Sequence, residues 1–195
     1  MKFPISPRVL LPAVLLLCLS AGATTMLRVD LPQLSLQADA VVHGTVRRVE
    51  SAWSGDGRRI FTDVEIQVTE TLKGQTGGTV LVTQPGGRVG DIGQQVSGVA
   101  AFTPGEEVVV FLEERGARAF SVLGLVQGKY KVQRSEDGTR VLAVPEASGE
   151  VLLLDAATGQ PTHSTRQPLP LTELKASIRA ALQKAPPVKA QEKRP

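Results

Sequence analysis

Residues Ala38 to Gly74, ADAVVHGTVRRVESAWSGDGRRIFTDVEIQVTETLKG, decide the fold. Ala38 to Ala52 reads as an outgoing strand and Arg59 to Leu72 as its return, with Asp56-Gly57 at the turn. In the return strand Val64, Ile66 and Val68 fall on one face; Asp63, Glu65, Gln67 and Thr69 fall on the other. A period of two marks a half-buried strand, and its β-branched residues suit a pleated surface. From Ile60 to Leu72 such a strand runs roughly 40 Å at about 3.3 Å per residue, more than twice the usual length. A strand that long must coil, and Gly44 in its partner permits the bulge that coiling needs. A lone hairpin is marginal in water, so later strands must cover its apolar face.

Outward from the hairpin, short strands follow at 79–83, 107–113, 119–125, 128–134, 139–144 and 150–155, separated by glycine turns that include Asp137-Gly138. Val108 to Phe111 is continuously apolar, as in a strand buried on both faces. Tyr130 and Val132 share one face of their strand. Asp30 to Gln37 reads as a short helix with Asp30 as N-cap and Pro32 in its first turn, packing Leu31, Leu34 and Leu36 onto the first strand. Leu171 to Gln183 carries Leu171, Leu174, Ile178 and Leu182 at helical spacing, a helix docked on its own sheet. Residues 84–106 form a glycine-rich loop with a short strand near 95–99. The expected class is mainly β: a single antiparallel β-barrel with a C-terminal helix packed against it.

Residues 1–23 read as a secretory signal, with Lys2 and Arg8 ahead of the apolar run Val9 to Leu19 and small residues at Ala21-Gly22-Ala23. The domain then spans 24–184, and 185–195, rich in proline and charge, forms a disordered tail. Cys18 is the one cysteine. Leu17 stands where a lipid-attachment site wants a small residue, so Cys18 leaves with the signal. The mature chain therefore relies on its core and not on disulfides. With no asparagine, N-linked glycosylation is excluded. Of 22 basic residues Lys2 and Arg8 go with the signal, and 22 − 2 = 20 then face 19 acidic ones. So even a balance creates no field that draws nucleic acid or an anionic membrane. A periplasmic or secreted protein with no membrane span after cleavage is expected.

No chemical signature stands out. The run Gly86-Gly87-Arg88-Val89-Gly90-Asp91-Ile92-Gly93 lacks the Lys-Ser/Thr ending of a phosphate loop and the strand–turn–helix setting of a dinucleotide site. His43 and His163 stand in no metal spacing. No Gly-x-Ser-x-Gly elbow is present. The pairs Glu106-Glu107 and Glu113-Glu114 point to opposite faces of a strand and read as solvated strand ends. Tyr130, between Lys129 and Lys131, is the one local echo of a base-stacking aromatic.

The run Leu34…Ala38-Asp39-x-Val41-Val42-x-Gly44-x-Val46, followed by a long strand ending Leu72-Lys73-Gly74, resembles the first hairpin of netrin-like domains. These are barrels of the oligonucleotide/oligosaccharide-binding (OB) type, also seen in tissue inhibitors of metalloproteinases. The segment Phe102 to Tyr130 is similar to uncharacterised exported proteins of deltaproteobacteria, a likeness that implies no activity. In the inhibitors an amino-terminal cysteine meets the protease zinc. The mature chain has no cysteine, so that mechanism does not carry over. The glycine loop also replaces the helix usual between the third and fourth barrel strands. The first expectation is a non-catalytic binding module for an extracytoplasmic protein, protease-associated or inhibitor-like, without a cofactor. Its expected contact surface is the turn Trp53 to Arg59 and the loop Pro85 to Pro104, with Trp53, Arg58, Arg88, Asp91 and Ile92 as the contact residues. The alternative is an envelope enzyme or small-ligand carrier in which Arg88, Asp91 and His43 converge on the barrel mouth.

Overall fold

The computed structural model describes residues 24–116, 119–146, 151–155, 157–162 and 166–184. Residues 1–23, expected as a signal and containing Cys18, lie outside them, as do His163 and residues 185–195, expected as a tail. The hairpin is present: β2 (Ala40–Trp53) pairs antiparallel with β3 (Ile60–Lys73) along its whole length. Its register shifts three times, leaving Leu72, Thr69 and Arg47 without a partner in the ladder. Each extra residue sharpens the local twist. The Thr69 shift falls at Gly44, where a Cβ would collide with Gln67 O and stand 2.9 Å from Ile66 Cγ2. Glycine is there because the two strands cross too closely for a side chain.

β4 (Thr79–Pro85) continues from β3, β7 (Glu107–Arg115) lies on the other side of β2, and β8 (Ala119–Val122) pairs with β7. β8 also meets β4, in parallel, at the single pair Val82↔Phe120. The order β2-β3-β4-β8-β7 thus returns to β2 as a partly closed ring. Beyond β7 the sheet extends through β9 (Lys129–Arg134) and β10 (Val141–Pro145) to the short β13 (Leu169–Pro170). A three-stranded side sheet joins β1 (Thr24–Leu27), β11 (Val151–Leu154) and β12 (Pro161–Thr162). β1 was not expected from the sequence.

β7 separates two cores. Val108, Val110 and Leu112 pack inside the ring with Val42, Val64 and Ile66. Val109 and Phe111 face outward with Val41, Tyr130, Leu174 and Ile178. This is why Val108 to Phe111 is apolar without a break. Over the outer core lie helix α1 (Leu31–Gln37) and the C-terminal helix α2 (Leu171–Lys184). In α1 Asp30 accepts from Gln33 N, and the Gln33 side chain accepts from Asp30 N, a capping box. Leu34 is buried as expected, whereas Leu36 is 45% exposed because it projects from the side of α1 away from the sheet. Leu171, Leu174 and Ile178 are buried under α2. Full burial of a side chain such as Leu174 or Ile178 contributes about 1.5–3 kcal/mol.

Candidate functional site

The turn at the far end of the hairpin is a rigid tip. Ser54 N donates to Arg59 O at 2.7 Å and Arg59 N to Ser54 Oγ at 3.0 Å. Ser54 Oγ and Arg58 N both donate to Asp56 Oδ1, at 2.5 and 3.1 Å, and these bonds hold the Asp56 carboxyl below its ordinary range. Gly57 supplies the φ of 65°. Trp53, opposite Ile60 at the base of the turn, is 42% exposed.

The glycine-rich stretch is ordered as a second, small hairpin, β5 (Gly87–Val89) with β6 (Ile92–Gln94). The short strand expected near 95–99 is instead this pair, a few residues earlier. Gly86 N donates to Ile60 O at 2.8 Å, Ile60 N to Gln94 Oε1 at 2.7 Å and Thr62 Oγ1 to Gly86 O at 2.7 Å. At Gly87, φ is 133° and a Cβ would strike Ser51 Oγ and Thr62 Oγ1. The paired glycines thus let the small hairpin lie directly on β2 and β3, and its glycine content reflects close docking. At its tip Arg88 Nε donates to Gly90 O at 3.1 Å, while Asp91 and Ile92 face solvent, Ile92 at 56% exposure.

The structure therefore carries Trp53, Arg58, Arg88, Asp91 and Ile92 on two hairpins bonded to each other. All five are exposed, and Arg58, Arg88 and Asp91 form no ion pair among the described residues. A cavity of about 320 Å³ lies where the hairpins meet, with Ser51, Thr62, Gly87, Gln94 and Phe102 in its wall.

His43 does not join them. It precedes Trp53 by ten positions on β2, on the order of 33 Å of extended strand. Its ring is 6% exposed, with Nε2 2.7 Å from Glu107 Oε1 and Nδ1 3.0 Å from Lys175 Nζ. Lys175 also bonds Glu70 at 2.6 Å, Arg179 contacts Glu70, and Arg134 bonds Glu107 at 2.8 Å. A lysine ammonium can only donate, so Nδ1 accepts and Nε2–H donates to Glu107. The imidazole is filled on both sides, its two nitrogens taken by Glu107 and Lys175. It ties α2 to β2, β3 and β7.

Glu106 and Glu107 are not solvated strand ends. Glu107 faces His43 and Arg134, while the Glu106 side chain, 7% exposed, takes Lys129 Nζ at 3.0 and 3.1 Å. Lys129 is 2% exposed, stands 4.6 Å over the Phe102 ring and donates to Ala101 O. Glu146 Oε2 lies 2.8 Å from the same Nζ, an ionic contact whose angle makes no hydrogen bond. Tyr130 between the two lysines is 2% exposed against Phe111, so it offers no surface for a base to stack on. Sequence reasoning missed both ion networks. The signal for one was present: Lys175 and Arg179 are four apart on one helix face, the spacing that brings two cations to one carboxylate.

The residues that carry the netrin-like resemblance have structural roles. Ala38 is buried. Asp39 Oδ2 accepts from Glu114 N at 2.8 Å. Lys73 Nζ donates to Ser35 O and Leu36 O at 3.0 and 2.7 Å, closing the C-terminus of α1. Burial holds that ammonium below the usual lysine range against the pull of Asp39. Gly74 takes φ of 81°, where a Cβ would lie 2.5 Å from Asp39 O. Compared with known families and curated proteins, the chain matches no family model and no curated sequence. Among the described residues no group of His, Cys, Asp and Glu is placed to hold a metal ion, and no helix is long and apolar enough to cross a membrane.

Proposed function

We propose that the protein is an exported, non-catalytic binding module of the netrin-like, OB-barrel type. It takes an extracytoplasmic protein on the surface formed by the β2–β3 turn and the β5–β6 hairpin, and a protease is the partner class the resemblance implies. One observation carries this reading: Trp53 and Ile92, two exposed large apolar side chains, stand on separate hairpins joined by hydrogen bonds between Gly86 and Ile60, Ile60 and Gln94, and Thr62 and Gly86. Exposed aromatic anchors beside unpaired arginines are the usual makings of a protein-contact hot spot, and a rigid frame lowers the ordering cost of binding. The barrel type is supported by the five-stranded, partly open ring, and export by the charge–apolar–small pattern of residues 1–23.

The test is affinity capture of periplasmic proteins on the purified mature chain and on Trp53→Ala/Ile92→Ala, each checked for fold by circular dichroism. Loss of about 1–2 kcal/mol per anchor, tenfold or more in affinity, is expected for the captured partner. A partner retained at equal affinity by the folded double variant rejects the surface. Deleting the whole loop is the poorer experiment, because Ala100 within it belongs to the ring core.

A further inference from the structure

On the other side of β4 the ring fails to close, and a cleft of about 520 Å³ opens there. The cause is in the pairing. β4 and β8 meet at Val82↔Phe120 alone, while Thr83, Gln84 and Pro85 continue along β3. The gap between the diverging strands is lined mainly by apolar groups, among them Phe61, Pro85, Val99, Val122 and Leu125. Its volume lies in the range of about 300–1,000 Å³ usual for small-ligand sites.

Leu125 is the second observation. It has a φ of 55°, the one non-glycine residue with positive φ among those described, and is 37% exposed at the cleft. Branched side chains rarely adopt this conformation, and backbone held there against preference collects at ligand clamps. It is fixed from both sides: Gly124 before it has φ of 68°, and Val126 N after it donates to Gly98 O at 2.8 Å. That bond ties the Leu125 wall to the Val99 wall.

The polar end is small and defined. Arg115 Nε donates to Ser121 Oγ at 3.0 Å, Ser121 Oγ donates to Glu113 Oε1 at 3.2 Å, and Arg115 Nη2 contacts Glu113. Arg115 Nη1 has no partner among the described residues, and its side chain is 66% exposed against 33% for Glu113. The outward group is thus the guanidinium, whose planar fork suits a carboxylate.

We propose that this cleft binds an apolar monocarboxylate, an acyl or aryl carboxylic acid, its body between Leu125 and Val99 and its carboxylate on Arg115. The cleft shares Gln84, Pro85 and Val99 with the smaller cavity where the two hairpins meet, but none of the five contact residues lines it.

Titration calorimetry with dodecanoate below its micelle concentration, and with dodecanol as the uncharged control, tests it. The mature chain is expected to take up one dodecanoate per chain. Arg115→Ala weakens dodecanoate about tenfold and leaves dodecanol unchanged. Val99→Trp fills the cleft and abolishes both. If Val99→Trp does not fold, Leu125→Gly replaces it, since glycine accepts the φ of Leu125 and removes its wall; binding of both probes is then weakened. Trp53→Ala/Ile92→Ala leaves binding as it was, which separates this site from the contact surface. No saturable uptake by the unaltered chain, or uptake undiminished in the filled or Leu125→Gly variant, overturns the site. Equal loss of dodecanoate and dodecanol in Arg115→Ala overturns the carboxylate.

Discussion

Gly44 and Gly74 show how a single atom sets the course of the long hairpin. At Gly74 the penalty for a side chain is double, a left-handed backbone and a Cβ 2.5 Å from Asp39 O. Gly74→Ala should lower unfolding stability by about 1–2 kcal/mol from conformation alone, with any clash in addition. Gly44→Ala meets only crowding, and overpacking of that kind costs about 1–3 kcal/mol. Urea midpoints unchanged in both variants would mean that the hairpin does not cross as described. A Lys-Gly pair and an isolated strand glycine were visible in the sequence. That both answer to Asp39 and Gln67 was not, because those contacts exist only once the chain has folded back.

At the scale of elements, the C-terminal helix is held by apolar burial and by its ion network. Ile178→Ala should cost about 2–5 kcal/mol, as for other fully buried aliphatic side chains. The hydrogen bond from Lys175 keeps the Glu70 carboxyl below its ordinary range; burial opposes this, and the Lys175 and Arg179 charges add to it. Burial also opposes ionisation of Glu107, but the bonds from Arg134 and His43 outweigh it. A carboxyl depressed in the folded state contributes stability above its unfolded value and loses it as pH falls through the folded one. Acidification below about pH 5 should therefore loosen the helix, and Glu70→Gln should flatten that dependence. The check is the urea midpoint at neutral and acid pH; parallel profiles for both proteins would remove Glu70 from the account. The helix and its apolar stripe were legible from Leu171, Leu174 and Ile178, since 3.6-residue spacing is local. The His43–Glu107 and Lys175–Glu70 pairs were not, since their members lie 64 and 105 positions apart.

Across the whole molecule Lys129 joins three segments: its own strand, the loop at Ala101 to Glu106, and the end of β10 at Glu146. Removing one partner of a buried ion group leaves the others charged and desolvated, which costs about 3–5 kcal/mol. Lys129→Ala should fall in that range by chemical denaturation, and a change under 1 kcal/mol would place the ammonium in contact with water. The strand succession and β7's two-sided burial could be anticipated from alternation and from the unbroken run Val108 to Phe111. Closure was expected with the barrel, but that it would be partial and rest on the single pair Val82↔Phe120 was not legible, because such a seam leaves no mark on composition.

The side sheet has a consequence for the order in which the chain assembles. Among the described residues Thr24–Leu27 pairs, in parallel, with Val151–Leu154, and Arg166 then clips Val29 and Gln127 together through their carbonyls. The first described strand must wait, unmatched, until the last third of the polypeptide has emerged. Such distant closure slows folding and leaves the edge of this waiting segment open to stray pairing until its neighbour arrives.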